Sequence, residues 1–159
     1  MPIVWPDEFD PAQAPVHVRN EIDISAPCDR VWAWLIRAQL WPTWYSNSAD
    51  VQFLSGTPPD LDAGTQFRWS TFGVTLDSTV LEFVPPSRIA WDARRAGIQA
   101  YHAWLLEPAS GRCHVITEET QHGILARAGK LLTPNRMSRG HDEWLEGLRD
   151  NAMHGLPPL

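Results

Sequence analysis

Three side chains offer most of the chemistry in this sequence: His102 in "AYHAWLLEP", Glu119 in "CHVITEET" and His141 in "MSRGHDEWL". A histidine beside a carboxylate can move a proton near neutral pH, because the imidazole titrates there and the carboxylate steadies its charged form. The same pair can instead orient a ligand's hydroxyl or carbonyl. It can also simply satisfy itself, as buried polar groups must. No Ser or Cys stands in a nucleophile-elbow motif to extend the pair into an acyl-transfer triad. Zinc calls for three or more convergent ligands, and only His102, Glu119 and His141 point the same way. No metal and no other cofactor is therefore expected, and His141 reads as a helix histidine at a cavity edge.

Whether these groups meet depends on the elements that carry them. "VHVRNEIDIS" alternates, with Val16, Val18, Ile22 and Ile24 on one face and His17, Arg19, Glu21 and Asp23 on the other, the pattern of a half-buried strand. Asn20 is the lone polar residue on its inner face. "SAPCDRVWAWLIR" starts a helix near Pro27, whose missing N–H costs nothing there. Its stripe is Val31, Trp32, Leu35 and Ile36. "AQLWPTWYSNS" follows as a second, short helix. Strands are expected near 49–54, 65–72, 74–84, 88–94, 98–107 and 112–122, separated by turn residues. A last helix over about 135–152 turns Met137, His141, Trp144, Leu145, Leu148 and Ala152 to one side. Residues 1–15, with four prolines, form an extended arm that Trp5 pins to the body. The domain proper spans 16–153, and 154–159 is a tail.

Side chains opposite each other in an antiparallel pair share a face, so the turns set neighbours. The turn at Phe72-Gly73 pairs Trp69 with Leu76, Phe67 with Ser78 and Arg68 with Asp77. Ser110-Gly111 pairs Trp104 with Thr117 and His102 with Glu119. Ala96-Gly97 sets Trp91 beside His102, and Pro85-Pro86 sets Val80 beside Trp91 and Glu82 beside Ile89. The row Val80, Trp91, His102, Glu119 then crosses one apolar face, into which Asn20, Ser78, Glu82 and Thr117 are also set. Glu82 falls at the rim, near the Pro85-Pro86 turn. The expected ligand-facing set is Trp69, Ser78, Val80, Trp91, His102, Trp104, Thr117, Glu119, His141 and Trp144.

The totals exclude several functions. At 159 residues the chain forms one domain. A net charge of −6 argues against a nucleic-acid partner, and the scattered basic residues against an anionic membrane surface. No apolar run approaches the roughly 18 residues of a membrane span. "MPIVWPDEFDPAQAP" does not read as a signal peptide, so a cytoplasmic address is expected. Cys28 and Cys113 form neither a CxxC motif nor a ligand cluster, so neither a disulfide framework nor a metal site is expected from them.

The order strand, two short helices, six strands and long helix resembles the helix-grip fold of the START and SRPBCC superfamily, which includes polyketide cyclases and dehydrases. The resemblance covers roughly residues 16–153 and rests on "EIDISAPCDRVWAWL", "FRWSTFGVTLDSTVLEFVPPSRIAW", "YHAWLLEPASGRCHVITEET" and "HDEWLEGL" in that order. It implies an α+β fold in which a curved antiparallel sheet of about seven strands grips the C-terminal helix around a cavity for hydrophobic small molecules. It assigns no catalytic residue. The expected function is binding of a ring-containing apolar molecule, with tryptophan walls and His102 and Glu119 orienting it. A cyclase- or dehydrase-type enzyme, in which His102 assisted by Glu119 removes a proton next to a ketone, is the second reading. A protein-interaction module with a filled core, using the Trp-rich "VWAWLIRAQLWPTWY", is the third. Self-association into a homodimer stays open.

Overall fold

In the computed structural model, which describes residues 2–159, the alternating segment forms strand β1 (Val16–Ile24). Pro27, extended and just outside the first turn, caps α1 (Cys28–Ile36), and Pro42 lies in the first turn of α2 (Trp41–Trp44). Six strands follow: β2 (Ser48–Phe53), β3 (Gln66–Thr71), β4 (Val74–Val84), β5 (Arg88–Arg95), β6 (Ile98–Ala109) and β7 (Arg112–His122). They form one antiparallel sheet in the order β1-β7-β6-β5-β4-β3-β2. Two helices close the chain, α3 (Ile124–Leu132) and α4 (Arg136–His154). This is the helix-grip arrangement, with α4 lying against the inner face of the sheet.

The tight hairpins fix the register. Phe72-Gly73 and Ser110-Gly111 each place two consecutive residues at positive φ, the twist that matches paired strands. Trp69 therefore faces Leu76, Trp91 faces His102, and His102 faces Glu119, as the turn positions predict. One pairing differs. A bulge between Val80 and Glu82 inserts Leu81, so Glu82 faces Ala90 rather than Ile89. The extra residue turns Glu82 away from the inner face, where it pairs with Arg88 at 2.6 Å.

Two further features depart from expectation. Cys28 and Cys113 form a disulfide across 85 residues of sequence. The pairing of Ile24 with Cys113 explains it: β1 ends beside Cys113, and the short turn through Ala26 and Pro27 brings the first residue of α1 back over it. The sequence reading also has no element between β7 and the last helix. Helix α3 fills that gap, entered through Gly123 at φ 106°, where a Cβ would lie 2.2 Å from the Gly97 carbonyl oxygen. Only glycine allows the chain to turn this closely past the β5–β6 hairpin.

The core lies between the sheet and α4. Trp41, Trp69, Trp91, Trp104 and Trp144 are all buried there with Tyr45 and Phe67. Trp144 stacks on Tyr45 at 4.7 Å and meets Trp104 edge-on at 5.0 Å. Large side chains buried this completely each contribute on the order of 1.5–3 kcal/mol. The N-terminal arm packs on the opposite face of the sheet, where Phe9 and Trp5 contact Tyr101.

Candidate functional site

β6 and β7 hold His102 and Glu119 as direct cross-strand partners. His141 descends on them from α4. Its Nε2 donates to Glu119 Oε2 at 3.0 Å, and His102 Nδ1 lies 3.4 Å from the same oxygen. The two imidazoles stack with centroids 4.8 Å apart. His102 Nε2 is 2.7 Å from Thr117 Oγ1, and Gln121 Nε2 donates to the other oxygen of Glu119 at 2.7 Å. His102, Glu119, Thr117 and His141 are all buried.

Helix α4 is set at this height by polar and steric contacts. Asn20 Nδ2 donates to Asp142 Oδ1 at 2.7 Å and to the carbonyl and hydroxyl of Ser138, joining β1 to the first turns of the helix. A Cβ on Gly140 would lie 2.4 Å from the Phe72 ring, so this glycine lets α4 approach the β3–β4 turn.

Burial pushes the His102 imidazole down to about 3, so the ring is neutral at neutral pH; the charge of Glu119 only partly opposes this. Burial alone would raise the Glu119 carboxyl, but the neighbouring imidazoles and Gln121 outweigh it and hold the group at about 2. A neutral His102 brings little positive charge, so the donors on His141 and Gln121 carry much of that depression.

Beside this polar group opens a cavity of about 380 Å³, bounded by the β3–β4 and β5–β6 ends of the sheet, α3 and the first half of α4. Trp69, Trp91, His102, Glu119, His141 and Trp144 from the expected set line it. Four others stand back from it. Ser78 is buried and accepts from Trp69 Nε1 at 3.1 Å, Thr117 is bonded to His102, Trp104 stacks behind His102, and Val80 is core. The tryptophans thus fill one end of the interior and leave the other open, so the filled core of the interaction-module reading is not what this fold contains.

The sequence reading missed the apolar end of the cavity, formed by Val74, Leu76, Ala93, Ile98, Leu125 and Met137. Leu76, Ala93 and Ile98 follow from the hairpin registers, but Leu125 needs α3. Trp91, Trp144 and His141 each line the cavity and carry a buried nitrogen with no partner within the protein. Such atoms call for a bound polar group or water.

A family model described as polyketide cyclase / dehydrase and lipid transport matches residues 15–153. The chain belongs to this family. A hypothetical protein from Helicobacter pylori is 30% identical, with 96% of each chain covered and a TM-score of 0.88. A Thermus thermophilus protein shares the fold at 18% identity over 87% of this chain and 98% of that one (TM-score 0.71). So does the di-domain ARO/CYC protein BexL of the BE-7585A biosynthetic pathway, at 20% identity over 86% of this chain and 50% of that one (TM-score 0.68). No curated protein matches the sequence. Among the described residues no helix is long and apolar enough to cross a membrane.

Proposed function

We propose that the protein binds a hydrophobic, ring-containing small molecule in the cavity between the sheet, α3 and α4. The observation that carries this reading is the cavity itself: about 380 Å³, apolar at one end and bounded by three buried titratable side chains at the other. The cavity opens to the surface beside Leu125, Thr133 and Pro134, so water fills it until a ligand displaces that water. Trp69, Trp91 and Trp144, packed against one another, form the rigid aromatic end wall against which a ligand ring would rest.

The cyclase-type reading finds support in the family and in the presence of His102 and Glu119 on the cavity wall. A general base works best with a pKa near the working pH, and burial holds His102 at about 3. Binding without turnover is therefore the stronger proposal. A screen of fused-ring phenols and ketones, read by quenching of tryptophan emission, tests it. The enzyme reading fails if His102→Gln leaves turnover of a bound ketone unchanged. The Cys28–Cys113 bond argues for an oxidising compartment rather than the cytoplasmic address expected from the sequence.

A further inference from the structure

We infer that His102, Glu119 and His141 form a binding site for one divalent transition-metal ion of the zinc class at the wall of the cavity. Two imidazoles and a carboxylate supply nitrogen and oxygen atoms that all lie within 4.8 Å of one another. His102 Nδ1 and His141 Nε2 stand 3.4 Å and 3.0 Å from Glu119 Oε2. Ligands about 2.0–2.2 Å from a tetrahedral zinc sit roughly 3.3–3.6 Å apart along each edge. The His102–Glu119 edge already has that length, and on binding the His141–Glu119 edge opens slightly while the nearly parallel imidazoles turn to aim at one ion. The spacing of the three candidate ligands, which the sequence does not carry, is the observation that favours an ion here.

The surroundings of His102 and Glu119 suit ligation, whereas His141 Nδ1 has no partner within the protein. Thr117 Oγ1, 2.7 Å from His102 Nε2, occupies that nitrogen and leaves Nδ1 for the ion. Gln121 holds Glu119 Oε1, which leaves Oε2 as the ligand atom. Outer partners of this kind fix the tautomer and orientation of metal ligands. The three donors come from β6, β7 and α4, which are regular elements rather than loops. All three residues line the cavity, so the fourth coordination position opens into it, the arrangement of zinc sites that accept an exogenous oxygen ligand. Both cysteines are tied in the disulfide and do not compete as thiolates.

The test is calorimetric titration of Zn²⁺ into chelator-stripped, full-length protein, with no organic ligand present. One ion per chain is expected, bound at micromolar concentration or tighter. Glu119→Gln and His141→Asn should each weaken binding by at least ~100-fold, and Thr117→Val by roughly 10–100-fold. His114→Ala, which removes a surface histidine beside Asp23 and Glu21, should leave it unchanged. Because substitutions in the interior can unfold the chain, Co²⁺ bound to the unaltered protein gives a second readout: intense visible bands of a tetrahedral ion are expected. Absence of saturable zinc binding overturns the site. So does binding that survives Glu119→Gln at full strength, binding that is lost in His114→Ala, or a weak octahedral cobalt spectrum. Failure here leaves the proposed apolar ligand untouched, and failure of that ligand leaves the metal site untouched.

Discussion

His141 on α4 and Glu119 on β7, 22 residues apart in sequence, are joined by a buried 3.0 Å hydrogen bond that ties the long helix to the inner face of the sheet. A carboxylate in such a place is tolerated only where donors replace its lost water. His141 and Gln121 are those donors, and the group behaves as a unit.

Removing the acceptor should therefore cost more than removing a surface carboxylate. Glu119→Ala leaves the buried His141 donor without its partner, at roughly 1–3 kcal/mol, while half-buried Gln121 keeps its contact with Met137 Sδ. Glu119→Gln keeps the volume and one acceptor oxygen and should cost less. Urea unfolding of the two variants beside Asp77→Ala, an exposed site, checks the order. Equal losses at all three would contradict it.

Stability should fall with acid in two overlapping steps. The folded state holds His102 at about 3 against an ordinary 6.5, so below pH 6.5 the unfolded chain takes a proton that the folded one refuses. Glu119, at about 2 against 4.5, adds a loss that begins near pH 4.5. Both shifts are depressions, so both favour the folded state at higher pH. Urea midpoints measured on the metal-free protein should decline steadily below about pH 6.5, and His102→Gln should flatten the first part of the decline. A midpoint that rises between pH 7 and pH 5 would refute this sign.

Trp144 is in ring contact with Trp41, Tyr45, Trp69, Trp91, His102 and Trp104. Trp144→Ala should lose about 3–5 kcal/mol, the range for large aromatic side chains in well-packed cores. Thermal or chemical unfolding gives the value. A loss below 1 kcal/mol would mean that this cluster packs loosely.

The disulfide closes a loop spanning 85 residues and should contribute roughly 2–5 kcal/mol by restricting the unfolded chain. Cys28→Ser with Cys113→Ser, compared with the oxidised protein by calorimetry, should lower Tm markedly. An unchanged Tm would show that the bond contributes nothing to stability.

Much of the site was legible because hairpin register depends on local signals. Phe72-Gly73, Ala96-Gly97 and Ser110-Gly111 are two-residue turns, and they set Trp69, Trp91, His102 and Glu119 in place without any knowledge of the rest. What escaped was non-local or irregular. The bulge at Leu81 carries no turn residue to announce it, and it alone moved Glu82 to the other face. Helix α3 is nine residues long and leaves Leu131 and Leu132 exposed, so its apolar positions do not mark a single buried stripe. The disulfide depends on where β1 ends against β7, a tertiary fact that neither cysteine's neighbours encode. The spacing of three titratable groups depends likewise on how closely Gly140 lets α4 descend.

The central claim is an accessible cavity that accepts an apolar ring, and a dye titration reaches it most directly. Anilinonaphthalene sulfonate should bind the folded protein at one saturable site and quench tryptophan emission as its own rises. Ala93→Phe, which extends a ring into the apolar end of the cavity, should weaken that binding by at least ~10-fold, equivalent to about 1.4 kcal/mol. No saturable binding, or binding that Ala93→Phe leaves unchanged, would contradict the account.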